Sequence, residues 1–463
     1  MTMKSLLLGA AAGIAAIGAA QAADLPMTKG EAVEYVKVCS TFGPGFFYIP
    51  GSDTCLKIGG EIRADYRVFG GDRPGFYTIA PVAGGTAGGT FFTKNSFNRN
   101  DNRSAFNTQG RIWFDARTQT DWGLLRSYFQ INADSHPISA GGRSNAFNGN
   151  TFSIDKAFIQ FGGLTAGYAH SFFGFYDNEY GDTIWAPYYA ESNTVNLIAY
   201  TAQFGGGFSA TLSIEDGLDH RADAFDGIVG TGTFVAGGQQ VPDVVGQLRY
   251  DADWGSLALQ AAGHQNRSGE TVVGGVVVGP GAGGIPHENT YGFAVGGTVL
   301  IKIPVIDGGH FIVEGQYADA ATDYLGAGNT VLGSSDLFIG TGAGLRSEKG
   351  KGWSIVGELG GNITPVLNAN LVASYIDTKY DNAFINPVTL GNANFTVQEF
   401  TVAGNLTYTI VKGLTVAGEI AYTRVEAKNA LTNLTPTAAE TTPALRDIKS
   451  NIWQAGIRLK RTF

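Results

Sequence analysis

The feature that most restricts what this chain can become is an alternation of apolar and polar side chains at every second residue, recurring from residue 56 to the C-terminus. In residues 56–68, Leu56, Ile58, Ile62, Ala64, Tyr66 and Val68 fall on one face, and Lys57, Glu61, Arg63, Asp65 and Arg67 on the other. A period of two belongs to a β-strand with two different faces. Arg111, Trp113, Asp115 and Arg117 oppose Ile112, Phe114 and Ala116 in the same way. Glu399, Thr401, Asn405, Thr407 and Thr409 oppose Phe400, Val402, Leu406, Tyr408 and Ile410. Such segments predict strands near 56–69, 106–118, 124–133, 153–161, 164–170, 194–204, 208–216, 243–252, 256–264, 289–303, 309–318, 351–363, 366–379, 397–411, 414–426 and 451–463. That is about sixteen, an even number of the kind single-chain bacterial barrels use.

The connections restrict the fold further. Asp121-Trp122-Gly123, Gly162-Gly163, Gly205-Gly206-Gly207, Asp253-Trp254-Gly255, Asp307-Gly308, Thr364-Pro365 and Lys412-Gly413 read as tight turns, alternating with long polar connections rich in Gly and Asn. Short turns on one rim and long loops on the other suit an up-and-down barrel; a soluble sandwich has no reason for the asymmetry. Lipid cannot satisfy an open strand edge, so residues 451–463 are expected to pair with residues 56–69 and close the ring. The expected class is therefore all-β: a transmembrane antiparallel up-and-down barrel. A charged fraction of 15% fits a wall with lipid on one side, because soluble domains carry roughly 25%.

Residues 1–22 read as a signal peptide, which leaves 23–463 for the barrel. Lys4 is the positive start, an uncharged apolar run follows, and Ala20-Gln21-Ala22 fits a small-residue cleavage site. The run is shorter than the roughly 18 to 20 apolar residues that span a bilayer. A formal net charge of −9 argues against a nucleic-acid partner. Cys39 and Cys55 are expected to form one disulfide in an oxidising periplasm, two buried thiols being the alternative. The six histidines show no pair at metal spacing and no EF-hand loop occurs, so neither metal nor cofactor is expected. The glycines of residues 340–344 lack phosphate-loop spacing to Lys349 and Lys351, and no G-x-S-x-G elbow is present, so no enzyme is expected.

Three blocks resemble the general porins of alphaproteobacteria. They are Glu31-Ala32-Val33-Glu34-Tyr35-Val36-Lys37-Val38-Cys39 with Gly45-Phe46-Phe47-Tyr48-Ile49-Pro50-Gly51 and Asp53-Thr54-Cys55-Leu56-Lys57-Ile58; Pro242-Asp243-Val244-Val245-Gly246 with Trp254-Gly255-Ser256; and the terminal Arg461-Thr462-Phe463. The resemblance implies a homotrimeric, water-filled diffusion channel for ions and small hydrophilic solutes in the bacterial outer membrane, whose third external loop folds inward. The last strand, with Trp453, Ile457, Leu459 and a final Phe463, is similar to the signal read by the barrel assembly machinery; Arg461 departs from it.

With apolar faces toward lipid, the opposite faces line the lumen. Lys57, Arg63, Arg67, Arg111, Arg117, Arg126, Arg458 and Lys460 then form a basic wall, interleaved with Glu61, Asp65 and Asp115. The loop at 170–193 carries Phe172, Phe173, Phe175, Tyr176, Trp185, Tyr188 and Tyr189, more aromatics than a solvated loop needs. Folded inward, it is expected to present Asp177, Glu179, Asp182 and Glu191 to that wall and set a transverse field across a constriction. The competing reading is a closed barrel serving as an adhesin or enzyme.

Overall fold

The computed structural model describes residues 37–79, 89–96, 102–135, 150–176, 183–222, 237–273, 276–278, 287, 289–339, 347–381, 394–432 and 444–463; the expected signal peptide lies outside them. Among the described residues sixteen antiparallel strands close into a barrel. In chain order they are β1 (Cys55–Ile79), β2 (Ser104–Thr120), β3 (Gly123–Ser135), β4 (Thr151–Phe161), β5 (Leu164–His170), β6 (Thr194–Gly205), β7 (Phe208–Glu215), β8 (Asp243–Ala252), β9 (Gly255–Arg267), β10 (Asn289–Lys302), β11 (Asp307–Asp319), β12 (Ser347–Thr364), β13 (Leu367–Tyr380), β14 (Phe395–Val411), β15 (Leu414–Thr432) and β16 (Ala444–Thr462). β16 returns to β1 as the alternation demanded, with Arg63 opposite Lys460, Asp65 opposite Arg458 and Gly70 opposite Trp453.

The barrel is inside out relative to a soluble protein. On β8 and β9, Leu248 and Leu259 are 62% and 68% exposed while Gln247 and Gln260 are buried. In water such a belt would drive association; against acyl chains it is the band that holds a barrel in the bilayer.

Several strands outrun their expected ends. β1 continues to Ile79, β12 starts at Ser347 and β16 at Ala444. The hydrogen-bond ladder extends past the lipid band, where alternation is no longer imposed. Asp307-Gly308 is not the turn expected of it: the chain reverses at residues 303–306, with the Ile306 N–H donating to the Ile303 carbonyl at 3.1 Å, and Asp307 already pairs with Asn362. Pro304 cannot donate to a ladder, which breaks the strand there.

Ahead of β1, Phe47 and Tyr48 pair back onto Leu56 and Cys55 at the short-turn rim. The Cys39–Cys55 disulfide ties this segment down, with Phe42, Phe46 and Tyr48 packed around it. Among the described residues, two of the long connections enter the barrel. L3 (171–193, between β5 and β6) buries Phe173, Tyr176 and Tyr189 completely. L6 (320–346, between β11 and β12) buries Tyr324 and Leu325 as fully, and its inward entry was not anticipated from sequence.

Candidate functional site

The barrel interior divides into two arcs of mostly opposite charge. From β7 round to β15 the inward positions include Glu215, Asp243, Glu314, Glu358, Glu399 and Glu419, all buried. A loop inside a barrel has no ladder partner for its backbone, so each N–H needs an acceptor. These carboxylates supply it, and ionised acceptors make the stronger bonds. Glu314 accepts the Phe175 and Tyr176 N–H groups at 3.2 Å each, and the Tyr176 hydroxyl donates to Glu358 at 2.6 Å. Glu419 accepts the N–H groups of Ile184, Trp185 and Ala186 at 2.6, 2.8 and 2.8 Å. The Tyr189 hydroxyl donates to Glu399 at 3.0 Å. Gly174 lets L3 approach: a Cβ there would sit 2.4 Å from a Glu314 oxygen, and its φ of +88° disfavours any other residue.

L6 is held by the same means. Glu399 accepts the Val331 and Leu332 N–H groups at 3.0 Å each, and Asp336 accepts those of Thr322 and Ala222 at 2.6 and 2.9 Å. Two buried histidines bridge L6 to the wall. His220, in the loop after β7, places Nε2 2.8 Å from Glu215 and Nδ1 3.5 Å from Asp323. His264 places Nδ1 2.8 Å from Asp243 and Nε2 3.6 Å from Asp336. Tyr324 joins the two clasps, stacking on His220 at 4.2 Å and donating its hydroxyl to Asp243 at 2.8 Å. Burial opposes a charge on His220, but Asp323, Glu215 and the neighbouring Glu191 hold its proton well above the usual histidine range.

The opposite arc, β16 through β3, is basic. Arg458 forks onto Asp65 at 2.8 and 2.7 Å, and Arg63 pairs with Glu61. Arg117 and Arg126 share Asp115 at 2.7 and 3.0 Å. Arg67 donates to Gln454 at 2.5 Å. Cations outnumber carboxylates on this arc, so the pairs orient the guanidinium groups without cancelling them. Trp185, at the tip that Glu419 holds, reaches across: its indole N–H donates to Asp65 at 3.0 Å, and Arg67 and Arg458 lie 5.6 and 5.2 Å from its ring. L3 thus runs from acidic anchor to basic wall. A cavity of about 200 Å³ remains there, lined by Arg63, Arg67, Arg458, Asn107, Asp134 and Trp185 among others.

The family model described as the porin subfamily matches residues 24–453. The chain belongs to the porin family. Membership places this porin in the bacterial outer membrane. Porin Omp2b of Brucella suis and porin Omp2b of Brucella abortus are each 34% identical over 268 residues. Each match covers 56% of this chain, and the chain spans 65% of the length of these curated relatives. Among solved structures, the outer-membrane channel DcaP of Acinetobacter baumannii is 14% identical and shares the fold, with a TM-score of 0.58 over 90% of this chain and 99% of its own.

The expected basic residues of this porin do gather on one arc. Lys57 and Arg117 stand apart at the short-turn rim, 5.8 and 5.0 Å from the Phe46 ring. Lys460 faces Arg63 across the seam. Of the loop carboxylates, Asp177, Glu179 and Asp182 lie outside the described residues. Glu191, expected to face the lumen, is 1% exposed and accepts the Asn193 N–H at 2.6 Å. Burial pushes its carboxyl well above the usual range, against the pull of His220. The acidic anchors and the histidine clasps were missed: Glu399 stood on a recognised polar face, but nothing local marks a carboxylate that will receive a loop.

Proposed function

We propose that this porin forms a water-filled channel through which ions and small hydrophilic solutes diffuse passively, assembled as a homotrimer. The observation that carries this reading is the division of labour inside the barrel: the carboxylates of one arc hold the inward loops L3 and L6, which leaves the facing arc positively charged beside a remaining cavity. Charges of one sign fixed on a low-dielectric wall bias which ions enter. The acidic residues at 177, 179 and 182 of the loop complete the transverse field in this reading.

Purified folded protein in planar bilayers tests it. Stable open steps, arriving in threes, are expected; a silent bilayer favours a closed barrel with another role. Neutralising Arg63, Arg67 and Arg111 together is expected to move the reversal potential toward cations, and neutralising Asp177, Glu179 and Asp182 toward anions. Unchanged reversal potentials in both sets would remove these residues from the pore.

A further inference from the structure

Beside the root of L3, away from the Trp185 constriction, lies a larger cavity of about 420 Å³. That volume is in the range of small-molecule sites, roughly 300 to 1,000 Å³. It is walled by β3, β4 and β5 on one side, by β8 on the other, and by the first residues of L3.

Its lining is chemically one-sided. Arg126, Lys156 and Arg249 contribute cationic groups from three different strands, and among the described residues no carboxylate lines it. The constriction cavity differs, because there Asp65 and Asp134 sit among the arginines. Four rings line it as well, Tyr128, Phe158, Phe172 and Phe175, beside uncharged polar groups such as Gln160, Thr165 and Gln247. A wet channel wall has no need to set its cations against rings.

The two arginines are set for an anion. Arg126 lies over the Tyr128 and Phe158 rings at 5.2 and 5.4 Å, and those rings stack on each other at 5.3 Å. Arg249 lies 4.5 Å over Phe175. Stacking covers a guanidinium face and leaves recognition to its in-plane N–H donors. Asp115 takes Arg126 Nε and Nη2 at 3.0 Å each, and Gln160 takes one Nη1 proton at 3.0 Å. That commits three of five donors. Asp251 orients Arg249 through Nε at 3.0 Å and Nη2 at 2.9 Å. Both side chains are about four-fifths shielded, at 23% and 19% exposure. Charge-assisted bonds made there are therefore stronger than in open water.

We propose that this cavity is a binding subsite for small organic anions whose carboxylate is attached to a flat apolar body, benzoate being the simplest. The carboxylate sits between the facing cations, and the ring lies against Phe158 and Phe172. The proposal rests on the channel reading and adds a substrate class to it: aromatic monocarboxylates would cross by a saturable route, whereas acetate, with the same charge and no ring, would not.

Two measurements on the full-length folded protein test it. In planar bilayers, benzoate added to a chloride electrolyte is expected to lower each channel's conductance along a saturating curve, and acetate at equal concentration to change it only in proportion. Arg249→Gln, scored against its own conductance in chloride, is expected to raise the half-blocking concentration roughly tenfold, as the loss of one charged hydrogen bond implies. Lys156→Gln repeats the test should the first variant fold poorly. Calorimetric titration of detergent-solubilised protein with benzoate and with acetate needs no conduction, so a silent bilayer that sank the channel reading would still leave the subsite decidable. Heat on benzoate but not acetate supports it. Equal responses to the two anions, or block unmoved in both variants, overturns it.

Discussion

At the scale of single residues, the inward placement of Arg63 and Arg67 was legible because they alternate with residues that must face lipid, which left them only one place to go. The acidic anchors were not, because a glutamate on the polar face of a strand reads the same whether it meets water or a loop. Glu419 shows what this conceals. Three backbone N–H groups converge on it from Ile184 to Ala186, and none has a strand to return to. Glu419→Ala leaves those donors unmet in a buried place, at a cost on the order of 3 kcal/mol borne by the loop tip. The barrel ladder is untouched, so the expected result is a folded channel with larger, noisier openings and red-shifted Trp185 fluorescence. Wild-type conductance with unchanged emission would show that Glu419 does not hold the tip.

At the scale of elements, L3 announced itself through its aromatics, which have no use in water. L6 gave no such sign: Thr322, Asp323, Ser334, Ser335 and Asp336 are the composition of an ordinary external loop, yet all are buried. Their burial rests on partners far away in sequence, above all the histidine clasps. His220 meets Glu215 from the wall, Asp323 and Tyr324 from L6, and Glu191 from L3. Its folded pKa is raised, so its contribution is complete below the unfolded value of about 6.5 and is lost as pH rises through the higher folded value. L6 is thus expected to loosen on the alkaline side and not between pH 5 and 6.5. Limited chymotrypsin digestion across pH should cut beside Tyr324 and Leu325 progressively faster as pH increases above neutrality, after correction for the protease's own profile. His220→Gln keeps a polar side chain without the charge and should cut readily at every pH. Identical profiles for the two proteins would take His220 out of the clasp.

At the scale of the whole molecule, closure decides whether there is a channel at all, and it rests on the seam between β1 and β16. Phe463 and Gly60 exchange backbone hydrogen bonds at 2.9 and 3.1 Å, so the final residue is itself a rung of the ladder. Sequence alternation was enough to bring these strands together. It said nothing of how the seam is packed, because glycine carries no hydrophobic signal. Both ends place an aromatic ring over a glycine on the outer face: a Cβ on Gly60 would come within 2.4 Å of the Phe463 ring, and one on Gly70 within 2.2 Å of Trp453. Rings laid over glycines are a known way of fixing register, and here they lie where the first and last strands, distant in the chain, meet. Gly70→Leu forces Trp453 off its seat, at about 1 to 3 kcal/mol for the overpacked contact, and removes a register marker where a one-residue slip would turn Arg458 and Lys460 toward lipid. Gly246→Ala on β8, where an added Cβ meets nothing within 4 Å, controls for the loss of glycine itself. Refolding into detergent and scoring the heat-modifiable band on gels should give a reduced folded fraction for Gly70→Leu and a normal one for Gly246→Ala. Equal yields would mean that the ladder alone closes the barrel and that the ring-on-glycine contacts are incidental.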